Sequence, residues 1–299
     1  MKLVSIGMPV YNDKPFVNAA IESLLKQTYQ NFELIISDDF STDGSQHICL
    51  EAEKNDKRIK YIRQHKNIGI SNNMEFLLKE ARGEYFMWAG NDDLWHHDFI
   101  TELVNGLEKT KDSIVAFCNV MEIDEDNNKL KIHDPSLINY RDNTPAKRLK
   151  KLIKVFYDGF GYGLFIKKEI VNVKFPVWWW INKKCPYNNI YPTLCFYLTK
   201  GNFILCGNKP LWYNRIKNAN NINHKMPFPN SSMRGYFAFV LWKFNLVLTS
   251  LSQIKRGGGS IFLIMNVSTS MILRWFLLPI IYEFINSVKR LYNGQIKFW

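Results

Sequence analysis

Short apolar runs alternate with amphipathic stretches along the first 125 residues. Leu3 to Val10 is an apolar run that ends in Tyr11-Asn12, the pattern of a central strand. Pro15 then opens a helix, with Val17, Ala20, Ile21, Leu24 and Leu25 on one face. Phe32 to Ser37 predicts a second strand, closed by Asp38-Asp39-Phe40-Ser41-Thr42-Asp43-Gly44-Ser45, a turn that also caps the next helix. Ile59 to Ile62 predicts a third strand, and Met74, Leu77, Leu78 and Ala81 mark a further helix. Tyr85 to Trp88, aromatic and uncharged between Gly83 and Gly90, predicts a fourth strand. Phe99, Ile100, Leu103, Val104 and Leu107 share a helix face, and Ile114 to Val120 predicts another strand. Strand-helix alternation at this spacing argues for an α/β fold with a mostly parallel sheet covered by helices on both faces. Ligands of such sheets bind beyond the carboxyl ends of the strands. Three polar strand ends therefore converge: Tyr11-Asn12, Asp38-Asp39 and Asn91-Asp92-Asp93.

Paired carboxylates at a sheet edge are hard oxygen ligands, suited to Mg2+ or Mn2+ and through them to a diphosphate. The same Asp92-Asp93 pair is equally readable as a solvated turn before a helix. Charge favours an anionic ligand. The chain has 299 residues, and 39 Lys and Arg against 27 Asp and Glu leave a net charge of +12. Five cysteines, Cys49, Cys118, Cys185, Cys195 and Cys206, form no C-x-x-C pair. They are expected to be reduced thiols of a cytoplasmic protein, with no cysteine metal site. The strand-like start predicts no signal peptide. The longest apolar candidate, Ile261 to Tyr282, is broken by Asn266, Ser268, Ser270, Arg274 and Pro279, so no membrane span is expected.

The stretch SIGMPVYNDKPFVNAAIESLLKQTYQNFELIISDDFSTDGS resembles the opening of family 2 glycosyltransferases of the GT-A fold. HKNIGISNN, ARGEYFMWAGNDDLW and KPLWYNR (Lys209 to Arg215) follow in the matching order. The resemblance is strong over the first 125 residues and weaker to about residue 215. It implies that the strand end at Pro9-Val10-Tyr11 packs against a nucleotide base, with Tyr11 stacking on it and Asn12 and Asp38 beside it. It also implies that Asp39 accepts a hydrogen bond from the base edge, which suits the N3-H of uracil or thymine. The family's D-x-D falls on Gly90-Asn91-Asp92. Asp92 becomes the metal ligand bridging to the donor diphosphate, Asn91 takes over what the missing first acid does, and Asp93 joins the metal site directly or through a partner. Lys66, Asn67, Gly69 and Asn73 fall near the donor. Asn72 stands where many members carry an arginine.

Two departures matter. The carboxylate base expected before the helix ending at Lys200-Gly201 is missing, and no Asp or Glu occurs between Ile170 and Tyr282. A sugar hydroxyl attacks poorly unless its proton is removed. The base comes from elsewhere, with Asp158 the first candidate and Glu169 or His224 behind it. Otherwise the acceptor is already an anion such as a polyprenyl phosphate, or the protein binds a nucleotide sugar without turnover. Asp158 is also readable as a turn residue before Gly159.

The acid-free span interleaves Lys and Arg with aromatics. Tyr236 to Leu251 and Ile261 to Tyr292 read as apolar helical segments joined by Lys255-Arg256-Gly257-Gly258-Gly259. In-plane helices on an anionic membrane surface fit this composition, as does an appendage packed on the catalytic domain or on a second subunit. No nucleic-acid motif accompanies the charge. Trp178-Trp179-Trp180 falls on the acceptor side, either as stacking faces for a sugar or lipid or as a wall between domain and appendage.

The expectation is thus a GT-A domain over 1-216, split into a nucleotide-sugar half (1-125) and an acceptor half (126-216), with a basic, aromatic helical tail over 217-299. Its activity is metal-dependent, inverting hexosyl transfer from a nucleoside diphosphate sugar to a glycan or lipid-linked glycan, in cell-surface polysaccharide biosynthesis. The expected location is cytoplasmic, peripheral on the inner face of the membrane, with a homo-oligomer left open.

Overall fold

The computed structural model describes residues 1–133, 140–141, 144–155, 159–175, 177–179, 186–188, 191–217 and 246–274; at 155, 159–160, 177–179 and 186–188 it describes the backbone only. Four parallel strands form one half of the main sheet, in the order β3 (Ile59–Arg63), β2 (Phe32–Asp38), β1 (Val4–Val10) and β4 (Tyr85–Trp88). Helices α1 (Lys14–Leu25), α2 (Ser45–Asn55) and α3 (Ile70–Glu80) make the crossovers. Every residue of β2 and β4 is buried, as expected for central strands covered on both faces.

Beyond β4 the sheet becomes mixed. Helix α4 (Phe99–Lys109) follows the two-residue β5 (Leu94–Trp95) and leads into β6 (Ser113–Ile123). A short hairpin adds β7 (Lys129–Ile132) to β6. After α5 (Pro145–Val155) and a 3-10 turn (Gly159–Tyr162), β8 (Leu164–Ile166) inserts antiparallel between β4 and β6. The short α6 (Lys167–Ile170) and α7 (Tyr191–Lys200) follow. The long β11 (Asn202–Arg215) then runs parallel to β6 and antiparallel to β5. A separate two-stranded ribbon pairs β9 (Val177–Trp179) with β10 (Pro186–Asn188).

Trp88 marks the seam between the two halves. It is 1 % exposed, and its ring meets Phe86, Phe165 and Phe175 edge to face at 4.7, 5.6 and 5.2 Å. Its indole N–H donates to the Met74 carbonyl at 3.2 Å, so this buried polar atom is satisfied. The four described cysteines are buried and free.

The C-terminal helices, α8 (described over 246–256) and α9 (Ile261–Ile272), dock through one side. Leu246, Val247, Ile254, Val267 and Met271 are buried, and α9 packs on α5. Gly257 passes so close to Thr199 and the Phe196 carbonyl of α7 that a Cβ there would sit 1.7 Å from the threonine hydroxyl. The outer side of α9 exposes Ile261, Phe262, Met265 and Ile272, with Leu273 just beyond its end, alongside the polar Asn266 and Thr269. Among the described residues no helix is long and apolar enough to cross a membrane.

Candidate functional site

The carboxyl ends of β1, β2 and β4 open onto one mouth, and hydrogen bonds between the loops hold its shape. Asn12 adopts a left-handed backbone (φ 50°), a conformation asparagine tolerates. Its N–H donates to the Ser41 hydroxyl, and its side-chain oxygen accepts from Thr42 N–H at 2.8 Å. Asp13 N–H donates to the Ser45 hydroxyl, and Lys14 N–H to Asp43. The β1–α1 and β2–α2 loops are thereby laced together. Tyr11 and Phe40 stand out of this floor at 52 and 44 % exposure. Phe40 has a positive φ of 68°, a costly conformation for a bulky residue, beneath the guanidinium of Arg63 at 5.1 Å.

The two adjacent acids of β2 have separate places. Asp38 is fully buried; its carboxylate accepts from Ser41 N–H and the Tyr61 hydroxyl, both at 2.8 Å. It braces the strand end and offers no open face to a donor, contrary to the expectation from resemblance. Asp39 accepts from Ile68 N–H at 2.6 Å and Gly69 N–H at 2.9 Å, which seats the 66–69 loop over the mouth. Burial pushes its carboxyl above the ordinary range, against the pull of those two N–H groups. Gly69 itself needs a positive φ of 82° there. Asn67 accepts from Gly69 N–H, and Lys66 is exposed. Asn73 is buried at the floor, donating to the Ser37 carbonyl at 2.9 Å. Pro9 is half-buried on β1 beside Ser37.

The acids after β4 divide as well. Asp93 is 4 % exposed and accepts from Trp212 Nε1 at 3.0 Å and Arg215 N–H at 2.9 Å. Burial, and then the neighbouring Asp92 charge, raises its carboxyl to about 7. Each oxygen accepts one hydrogen bond from β11, so where a metal ligand was expected Asp93 fastens the loop. Gly90 leaves it room, since a Cβ there would lie 2.6 Å from Asp93 Oδ2. Arg215 completes the fastening. It donates to the Asp92, Asp124 and Glu125 carbonyls and to Asn127 Oδ1, all at 2.7–3.0 Å. Asn91 is half-buried between these groups.

Asp92 turns its side chain the other way. Its Oδ2 lies 2.7 Å from Lys217 Nζ, and Asp13 Oδ2 lies 2.7 Å from the same nitrogen. The opposed acids hold the Lys217 ammonium above its ordinary range, although burial alone would lower it. Phe16 backs the cluster, its ring centroid 5.1 Å from Lys217 Nζ. Sequence reasoning found Asp92 but missed Asp13, Lys217 and the fastening role of Arg215. Asp13 was adjacent to the flagged Tyr11-Asn12 and Lys217 two residues beyond the flagged KPLWYNR, but only the folded chain joins them. Two carboxylate oxygens turned to one positive centre are a donor set that fits a hard divalent cation.

Of the residues expected to serve the acceptor, Asp158, Trp180 and His224 lie outside the described residues, and Trp178 and Trp179 are placed by backbone alone, on β9. Glu169 is on α6, its carboxylate 4.0 Å from Lys168 Nζ.

A curled sheet of mostly parallel strands with carboxylates at its mouth is the architecture of nucleotide-sugar glycosyltransferases of the GT-A fold. Solved members share it. Staphylococcus aureus TarS 1–349 in complex with UDP superposes with a TM-score of 0.63 at 15% identity, over 92% of this chain and 72% of that one. The mannosyltransferase PcManGT of Pyrobaculum calidifontis, in complex with GDP-Man and Mn2+, gives 0.52 at 14% identity, over 92% and 70%. At the sequence level, residues 5–171 match the family model for glycosyl transferase family 2, more than half of the chain, and the chain belongs to that family. Glycosyltransferase GlyG of Streptococcus pneumoniae is 33% identical over 124 residues, 42% of this chain and 41% of GlyG. An uncharacterized glycosyltransferase of Haemophilus influenzae is 36% identical over 121 residues, 40% and 37% of the two chains. The chain thus matches about two fifths of the length of these curated relatives.

Proposed function

We propose that this chain transfers a hexosyl group from a nucleoside diphosphate sugar, UDP or dTDP preferred, to a glycan or lipid-linked glycan, with inversion, in cell-surface polysaccharide biosynthesis. The observation that carries the reading is the pair Asp13 and Asp92, turned to one cationic centre at the mouth beside exposed Tyr11. Tyr11 offers a face to the base. Asp39 retains lone pairs for a pyrimidine N3–H beyond the two backbone donors it already serves. Asp13 and Asp92 hold Mn2+ or Mg2+, which as a Lewis acid would neutralise the leaving diphosphate. Lys66, exposed on the loop seated by Asp39, is assigned to the same anion. The crystallised complexes of TarS with UDP and UDP-GlcNAc, and of PcManGT with GDP-Man and Mn2+, support a nucleotide-sugar donor and a divalent ion.

The catalytic domain spans 1–216 in this reading, and the basic tail 217–299 brings it to an anionic membrane surface. The exposed apolar side of α9 lies between Lys255-Arg256 and Arg274, the composition of an interfacial helix. Asp158 is assigned as the base for the acceptor hydroxyl, and Trp178, Trp179 and Trp180 are assigned to acceptor binding. The acid-free span from Ile170 to Tyr282 favours one second reading, transfer onto a polyprenyl phosphate that needs no base. Nucleoside diphosphate release from a panel of donor sugars, with membrane extract as acceptor, tests both. Release with one donor and an inverted anomeric centre by NMR supports the function. Loss of release in Asp158→Asn identifies the base, and retained release favours the phosphate acceptor. No release from any donor by a protein that binds nucleotide would leave a non-catalytic binding subunit.

A further inference from the structure

Lys217 sits where the donor's cation belongs. Its ammonium joins three parts of the fold: Asp13 at the start of α1, Asp92 in the loop after β4, and its own place just beyond β11. Each contact is 2.7 Å, so the two carboxylate oxygens cannot be further apart than twice that distance. Left unpaired at such a separation, two anions repel. The ammonium removes that repulsion. A hard divalent ion requires the same two oxygens and repels the ammonium. The two cations therefore exclude each other.

We propose that Lys217 is an exchangeable latch: it closes Asp13 on Asp92 in the nucleotide-free protein and yields the two oxygens to a divalent ion only when a nucleoside diphosphate arrives to receive its ammonium. Asp13 is the second carboxylate ligand of that ion. The neighbouring Arg215 cannot take the lysine's part, because its guanidinium is committed to three carbonyls and Asn127. Metal and nucleotide then bind together, each raising the affinity of the other, as linkage requires. The nucleotide half of this inference rests on the donor-site reading above; the metal half does not.

The test is calorimetric titration of Mn2+ into the full chain, with and without UDP, for wild type, Lys217→Met and Lys217→Arg. The latch predicts that Lys217→Met binds Mn2+ alone at least about tenfold more tightly than wild type, and that UDP strengthens Mn2+ binding by a larger factor in wild type than in Lys217→Met. Lys217→Arg keeps the charge and keeps Mn2+ alone weak. Adding Asp13→Asn to Lys217→Met abolishes the gain. A lysine that only binds phosphate would leave the affinity for Mn2+ alone unchanged on removal, and a lysine that only holds the fold would weaken it; either result overturns the proposal. Lys217→Gln carries the same expectation should the methionine variant fail to fold. Wild type that binds no UDP counts against the donor-site reading, while the comparison in Mn2+ alone still decides the latch.

Discussion

Asp92 and Asp93 are chemically identical neighbours with opposite tasks. Asp93 is buried on the Trp212 indole and the Arg215 backbone, and Asp92 meets Lys217 at the mouth. Asp93→Asn keeps the shape but presents an NH2 where an acceptor is needed, leaving one buried donor unmet. The expected loss is about 1–3 kcal/mol in urea denaturation, and an unchanged midpoint would contradict the fastening role. The sequence located this carboxylate pair but did not divide its labour, because the division is set by Trp212 and Arg215, more than a hundred residues away. The same holds for Asp38 and Asp39. Tyr61, which claims Asp38, lies on the neighbouring strand, and the 68–69 backbone that claims Asp39 follows that strand. Residue types at strand ends announce a polar site; side-chain direction within it depends on partners that only the tertiary fold brings in.

At the scale of elements, the start of β4 is held by a buried cluster. Glu33 accepts from the Ser5 hydroxyl, from Arg82 N–H and from the Arg82 guanidinium. Burial alone would raise its carboxyl, but these donors outweigh that and hold it below its ordinary 4.5. A depressed carboxyl stabilises the fold above its unfolded value, and that contribution is lost as the pH falls below about 4.5. Glu33→Gln should therefore flatten the fall in thermal stability on the acid side of pH 4.5, and an unaltered acid limb would count against the cluster. Gly83 is packed onto the same cluster: a Cβ would lie 2.6 Å from the Leu3 carbonyl and 2.7 Å from Ser5 N. Backbone cannot yield as a side chain does, so Gly83→Ala is expected to cost about 1–3 kcal/mol, measured by chemical denaturation. The five strands expected from periodicity, β1, β2, β3, β4 and β6, all form within a few residues of their predicted ends. The short strands β5 and β8 were not legible. β8 has three residues and β5 two, too few for a period, and both exist because β4, β6 and β11 supply edges to pair with.

At the scale of the molecule, the net charge of +12 and the acid-free span from Ile170 to Tyr282 meet the exposed apolar side of α9, on which Phe262 is 79 % exposed. The opposite side of that helix is buried on the domain, and the exposed side is the one the proposed membrane contact would use. Co-sedimentation with anionic vesicles is expected for the wild type, weakening with salt. It should be lost in the double variant Phe262→Glu, Met265→Glu with the fold intact, and equal sedimentation of both proteins would exclude α9 as the docking face. The proposed donor site lies at the mouth built from β1, β2 and β4. Calorimetric titration of UDP, dTDP and GDP, with and without Mn2+, into wild type and Asp92→Asn tests it. UDP or dTDP is expected to bind wild type only with Mn2+, and Asp92→Asn to weaken this binding by about 10–100-fold. Folded wild type that binds none of the three, or binds equally well after Asp92→Asn, would contradict it.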